Sequence, residues 1–191
     1  MPLYLVTGPT EVLSLVDAKL HLRVEDSEND AVITAMVAAA TADIDGRDGW
    51  LGRALKPQTW DLKLDGFPCG HIRLPLPPLI SVTSVEYIDI DGITQTFSAT
   101  KYHVSGAGGR NPARISLRAY EQWPLTAYRW PEPVTVRFEA GYEIVPPDIV
   151  NAIKLQVSQY YENRDEFVTG TIMSKLPSTV ESLLLKHQVF A

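Results

Sequence analysis

Few side chains in this sequence are placed to do covalent or metal chemistry. Its four histidines, His21, His71, His103 and His187, are scattered singly. None stands in a His-Glu-x-x-His pair or at another metal-ligand spacing, so each reads as a surface or packing residue. Cys69 and His71 are two apart and would share one face of a strand. A thiol–imidazole dyad also needs hydrogen-bond reach and an oxyanion hole, and Phe67-Pro68-Cys69-Gly70-His71 has the composition of a turn instead. The run Gly106-Ala107-Gly108-Gly109 lacks the Gly-Lys-Ser/Thr ending of a phosphate loop, and no strand–helix unit contains it. With Asn111-Pro112 behind it, it reads as a flexible loop.

Two charged stretches remain. Glu25, Asp26, Glu28 and Asp30 do not follow the EF-hand pattern and read as acids at the start of a helix. Tyr120, Trp123, Tyr128 and Trp130 lie among Arg118 and Arg129, a mixture able to stack on single-stranded nucleic acid. Pro124, Pro131 and Pro133 favour a proline–aromatic loop, packed on a sheet or held in a protein interface.

Three zones must position these residues. The first is helical. Ser14-Leu15-Val16-Asp17 has the capping-box spacing, and Ser27-Glu28-Asn29-Asp30 repeats it before a longer helix. In that helix Ile33, Met36, Val37, Ala40 and Ile44 form one apolar stripe, ended by Gly46 and Gly49. The middle zone is β. Trp60, Leu62 and Leu64 alternate with Asp61, Lys63 and Asp65, and Val134, Val136 and Phe138 alternate with Thr135, Arg137 and Glu139. Asp91-Gly92 separates two β-rich runs and predicts a hairpin. Pro75, Pro77 and Pro78 precede one strand and Pro124, Pro131 and Pro133 another, which points to edge strands and loops. The last zone returns to helix at Pro147, with Ile149, Ile153, Val157, Tyr160 and Tyr161 as its stripe. A loop over 163–171 and a short helix opening at Ser178 follow. The fold expected is α+β: an N-terminal helical part over 1–56, an inserted antiparallel β-subdomain over 57–145, and C-terminal helices with a tail over 146–191 completing the helical core.

Composition agrees with one folded core of this kind. Of 191 residues, 45% are hydrophobic and 21% charged, which excludes disordered and collagen-like classes. No apolar run approaches the roughly 18 residues of a membrane span. The first fifteen residues lack a basic region, and Pro9 and Glu11 interrupt their apolar part, so the expectation is a soluble chain folded inside the cell. A single cysteine excludes an internal disulfide framework and a Cys-rich zinc site. The net charge of −6 is localised. Residues 25–48 carry seven acids and one base, whereas residues 101–137 carry six bases against Glu121 and Glu132. The chain is lopsided in charge but has no wholly basic DNA-binding footprint.

Ala18-Lys19-Leu20-His21-Leu22-Arg23-Val24 before an acidic turn, Ala54-Leu55 with Thr59-Trp60, and Leu74-Pro75-Leu76-Pro77-Pro78-Leu79-Ile80-Ser81-Val82 form an ordered set. Tyr87-Ile88-Asp89 with Asp91-Gly92, Trp123-Pro124, Ala140-Gly141-Tyr142 with Val145-Pro146, and Tyr160-Tyr161-Glu162-Asn163-Arg164 continue it. Together they resemble the head–tail connector (adaptor) proteins of tailed bacteriophages and gene-transfer particles, nearly end to end. The loop over 106–111 and the long stretch over 123–133 do not match the family residue by residue.

The resemblance implies a structural role with no catalysis and no cofactor. Such adaptors form a homo-oligomeric ring, usually of twelve subunits, beneath the portal protein in the neck of the virion. They extend the DNA channel and offer a docking surface for stopper or tail-completion proteins. Genomic DNA would pass through the lumen without sequence-specific binding, which a net negative protein favours. Assembly in the bacterial cytoplasm and no membrane partner are implied. A ring closed by rotation needs two different complementary faces. Glu25, Asp26, Glu28 and Asp30 on one side, with Arg110, Arg114, Arg118 and Arg129 on the other, are the candidate pair. Leu183, Leu184 and Leu185 are consecutive, so no single helical face can bury all three. With His187, Val189 and Phe190 they are the candidate portal-binding residues, and folding back onto the helical core is their alternative. Two other functions stay open: a nucleic-acid-binding module using 101–137, and a small enzyme using Cys69 and His71.

Overall fold

Ser14 starts the first helix as its spacing predicts. Its hydroxyl accepts the Asp17 N–H at 3.1 Å and donates to the Asp17 carboxylate at 2.7 Å, and α1 runs Leu15–Leu22. Arg23 closes α1 at φ 58, with the Val24 N–H reaching back to the Lys19 carbonyl at 3.0 Å. The second capping box does not form. The Asp26 carboxylate accepts from the Glu28 N–H and the Asn29 side-chain amide, which holds this turn out of helix. Consequently α2 begins later and spans Asp30–Ala42 behind Asn29, with no side-chain cap. In the computed structural model, which describes residues 2–163 and 178–189, the predicted stripe Ile33, Met36, Val37, Ala40 and Ile44 is buried.

α2 packs on α3 (Pro147–Glu162), which buries Ile149, Ala152, Ile153 and Val157. α4 (Ser178–Leu184) packs on α3 in turn, and a 3₁₀ turn, Leu185–His187, extends it. A Lys19–Asp30 ion pair at 2.6 Å ties α1 to α2. The loop after α2 is closed by its own backbone: Gly46 N–H to Arg53 carbonyl at 2.6 Å and Trp50 N–H to Asp43 carbonyl at 2.8 Å. The Asp45 carboxylate accepts the Leu55 N–H at 2.8 Å. These elements form one unit, the described parts of Glu11–Leu55 and Ile144–Ala191. Most of the segment read as a loop over 163–171 lies outside the described residues.

The second unit is Met1–Thr10 with Lys56–Glu143. The first residues correct the sequence reading, which placed all of 1–56 with the helices. Leu3–Thr7 is a strand, β1, antiparallel to β2 (Gln58–Leu64). With β4 (Leu79–Ile88), β5 (Thr94–Thr96) and β8 (Val134–Ala140) they form an antiparallel sheet in the order β1-β2-β8-β4-β5. The proline-introduced strands are therefore not edges. β8 is the central strand and β4 lies beside it, because the prolines occupy the lead-in segments, where no ladder bond is lost. The Asp91-Gly92 hairpin is present. Its loop is held by an Asp89 N–H to Ile93 carbonyl bond at 3.0 Å and by Gly92 at φ 80. The Asp89 carboxylate accepts from Gln95, Ile93 and Asp91, which holds its pKa below the usual carboxylate range.

A second antiparallel sheet, β3-β7-β6, consists of β3 (Ile72–Leu74), β6 (Tyr102–Ser105) and β7 (Ala113–Leu117). The Gly106–Gly109 run is the hairpin loop between β6 and β7, and the Gly108 N–H bonds the Leu79 carbonyl at 2.8 Å. The fold is α+β.

Gly141, directly after the central strand, has φ 136, and a side chain there would collide with the Lys56 carbonyl and the Pro57 nitrogen. Gly92 also has positive φ, but a methyl there meets only Trp130 at ordinary contact distance. Gly92→Ala should therefore cost about 1–2 kcal/mol of left-handed strain, and Gly141→Ala clearly more, because backbone must move as well. Urea unfolding of the two variants checks this, and equal midpoints would remove the proposed clash.

Candidate functional site

The proline–aromatic stretch between β7 and β8 divides its residues between packing and display. Trp123 stacks on Phe67, with centroids 4.7 Å apart and planes 6° from parallel, and tilts against Phe97 at 5.2 Å. Phe97 in turn stacks on Tyr102. Trp123 is thus a packing residue. Tyr120, Leu125, Tyr128 and Trp130 are exposed, and the Arg129 guanidinium lies 5.2 Å from the centre of the Tyr128 ring. The loop is pinned to β4 by the Ala127 N–H to Ile88 carbonyl bond at 2.9 Å and the Ile88 N–H to Pro133 carbonyl bond at 2.8 Å. Tyr120, Arg129 and Glu132 hold left-handed φ of 68, 59 and 50, a conformation uncommon outside glycine. Exposed Tyr, Trp and Arg are the residues that anchor protein interfaces.

A cleft of about 310 Å³ beside this loop is lined by Lys63, Glu86, Trp130, Glu132 and Thr135 among others. Lys63 donates to Thr135 at 2.7 Å and Glu86 accepts from Ser84 at 3.1 Å, so two of its charged groups have partners on the sheet itself. Across the same sheet, Arg137 on β8 makes a two-pronged bond to Asp61 on β2, both distances 2.8 Å. The Asp61 hydrogen bond and charge hold the Arg137 guanidinium more firmly protonated, and Asp61, read as a solvent-facing residue, is buried as a result. Cys69 and His71 are both exposed, with Cys69 at a bend before β3. Among the described residues, no three His, Cys, Asp or Glu side chains gather as metal ligands, and no helix is long and apolar enough to cross a membrane.

The charged residues singled out from the sequence have unequal freedom. Asp30 pairs with Lys19 and Asp26 holds the turn before α2, whereas Glu25 and Glu28 are exposed. Farther along, Asp43 accepts the Tyr160 hydroxyl; burial first, and Asp43 second, push that phenol up to about 12. Arg110 lies in the β6–β7 loop, Arg118 donates to the Tyr102 carbonyl at 3.2 Å, and Arg129 covers Tyr128. Arg114 stands in β7 directly opposite Arg73 of β3. Arg73 was missed by the sequence reading. Its signal was the alternation Ile72-Arg73-Leu74 in a stretch without acids.

At the C-terminal end the three leucines separate. Leu184 is fully buried in the helical unit, which removes it from the candidate docking residues; Leu183 is half-buried and Leu185 exposed. The His187 carbonyl accepts the Arg53 side chain, and its ring lies 3.3 Å from the Asp148 carboxylate, which also pairs with Lys186. Val189 is half-buried, its N–H bonding the Leu51 carbonyl at 3.0 Å, and the Gln188 amide reaches the Trp50 carbonyl at 3.3 Å. Up to Val189 the tail therefore lies on the helical unit, and Phe190 falls outside the described residues.

No protein-family model matches the sequence, and no curated protein matches it. Solved structures are similar over the full length. One is the neck of an empty gene transfer agent (GTA) particle computed with C6 symmetry, with TM-score 0.78, 24% identity, and coverage of 100% of this chain and 97% of that one. The virion of a native GTA particle gives TM-score 0.76 and 23% identity at the same coverage. The neck of a native GTA particle computed with C12 symmetry gives 0.72 and 21%, again at that coverage. At these identities the likeness establishes the fold.

The Asp148 cluster predicts an acid response of the helical unit. The hydrogen bond from Lys186, then that from His187, holds the Asp148 carboxyl below the usual carboxylate range. A depressed folded-state value stabilises the fold above about pH 4, where an unfolded aspartate is already ionised, and the effect vanishes as pH falls through the lower folded value. Thermal melts across this range should show a steeper acid limb for the wild type than for Asp148→Asn. Superimposable limbs would mean that the cluster contributes nothing.

Proposed function

We propose that the chain is a structural, non-enzymatic subunit of the neck of a virion or phage-like particle. The observation that carries this reading is the end-to-end likeness to chains of GTA necks and of a GTA virion, with nearly all of each chain matched on both sides. The sequence resemblance to head–tail adaptors points the same way, through residues spread from Ala18 to Arg164.

The finer parts of the reading belong to this proposal too. Subunits associate head to tail in a ring of twelve beneath the portal, which extends the DNA channel and presents a surface to the stopper or tail. C6 and C12 symmetries of the similar particles favour such a ring. The exposed aromatic loop with Arg118 and Arg129 is suited to one side of the subunit contact, and exposed Glu25 and Glu28 to the other. Exposed charge pairs are individually worth about 0–1 kcal/mol, so they would set register more than affinity. Portal docking falls to Leu183, Leu185, His187, Val189 and Phe190, with Leu184 spent in the core.

Negative-stain imaging of the purified protein, alone and mixed with portal-bearing heads, tests the neck role. Rings or decorated vertices are expected; heads that stay bare at every ratio would overturn it. Deleting residues 188–191 removes hydrogen bonds worth about 0.5–1.5 kcal/mol each, so the shortened chain should still fold yet fail to attach. Attachment equal to that of the full chain would return the tail to a purely internal role.

A further inference from the structure

The smaller sheet turns two different faces outward and inward. Alternation along its strands buries Ile72, Leu74, Tyr102, Ala113 and Ile115 and exposes Arg73, His103, Ser105 and Arg114. Register places Arg73 opposite Arg114, and Arg114 opposite Ser105, so one rung reads Arg-Arg-Ser across the three strands. The next rung on that face pairs Ser116 with His103. Two like charges directly opposite, with Cβ atoms about 5 Å apart, destabilise an antiparallel pair. Nothing on these strands relieves the repulsion, because residues 66–85 and 92–120 contain no Asp or Glu at all. In a chain of net charge −6, the acid-free stretches hold all three strands of the smaller sheet, together with β5 and most of β4.

We propose that this face binds the phosphate backbone of double-stranded DNA without regard to sequence. A phosphate between Arg73 and Arg114 would neutralise both and turn a mutual repulsion into a two-sided grip. Two features select phosphate over an acidic protein surface. None of the exposed residues on this face is a Phe, Tyr, Trp or large aliphatic side chain, so its arginines lack the apolar anchors that accompany them at the centre of a protein interface. Its neutral neighbours Ser105 and Ser116 are hydroxyls, which donate to phosphate oxygens. The contact is small, so binding is weak and lets DNA slide.

Fluorescence anisotropy with a short labelled duplex of random sequence tests this on the full chain. With two to three phosphates engaged, affinity should fall roughly 10- to 40-fold between about 50 and 200 mM salt, since log K drops by about 0.9 per phosphate per decade of salt. Arg73→Glu/Arg114→Glu should abolish binding. Arg73→Gln/Arg114→Gln, which removes the repulsion and keeps the side-chain length, should melt no lower than the wild type while the salt slope shrinks by about 2. Binding that ignores salt, or that both variants retain, overturns the proposal. Loss of self-association with DNA binding intact would assign the face to an acidic protein surface and overturn it equally. The neck reading survives each of these outcomes, because particle imaging tests it separately.

Discussion

The pairing of β2 with β8 is the constraint on which the rest of this architecture depends. The helical unit is written in two pieces of sequence, and the chain leaves it after Leu55 and returns at Ile144. Gln58 pairs with Ala140 at the foot of the two strands, so the departing and returning segments are held side by side. Gly141 makes this possible: its bare Cα lies against the backbone of Lys56 and Pro57, where no side chain would fit. The same two strands carry the Asp61–Arg137 pair farther along, so register is fixed by hydrogen-bonded charge as well as by the buried Leu62, Val136 and Phe138. A one-residue slip would bury Arg137 and Glu139 in place of those apolar side chains.

Charge in this protein is divided by task rather than spread for solubility alone. Several of the acids that make the first quarter of the chain so negative do local structural work: Asp26 holds a turn, Asp30 grips Lys19, Asp45 closes a loop and Asp43 takes a tyrosine hydroxyl. Bases of the middle segment are deployed differently. Arg137 is committed to a carboxylate, Arg118 to a backbone carbonyl and Arg129 to an aromatic ring, whereas Arg73 and Arg114 confront each other across a strand pair. A run of like charge in a sequence thus hides very different degrees of availability, which only the partners disclose.

Much of the fold was legible because periodicity reports burial directly. The stripes of α2 and α3 and the alternation of β2 and β8 were read correctly, since each buries one face over several turns or residues. The second capping box failed because Asp30 is engaged elsewhere: its N–H bonds the Ser27 carbonyl at 3.3 Å and its carboxylate pairs with Lys19, a local contest that spacing alone does not decide. β1 was missed because its side chains are mostly exposed and its pairing partner lies some fifty residues away, so no local pattern announces it. The smaller sheet was missed for a different reason. Its strands are three to five residues long, and their alternation, visible in Tyr102-His103-Val104-Ser105 and Ala113-Arg114-Ile115-Ser116-Leu117, was masked by the glycine-rich loop between them. Of the candidate surfaces, the aromatic loop and its arginines were identifiable from composition. The fate of three adjacent leucines was not, because which of them faces inward depends on the phase of one short helix.

The divided helical unit also governs the sequence of events as the chain is made. Helices α1 and α2 emerge early, but the helix on which α2 packs is separated from it by the whole of residues 56–143. Until that length has been synthesised, the apolar stripe of α2 has no α3 to cover it. The β unit is complete only slightly earlier, because its central strand β8 ends at Ala140 and α3 begins at Pro147. Its closure brings the two ends of the insertion together and shortens the effective loop that the helices must close, lowering the entropic barrier to their meeting. The inserted unit is therefore also a clasp for its host: the pairing of β2 with β8 holds together the two ends of a segment that divides the helical unit in sequence.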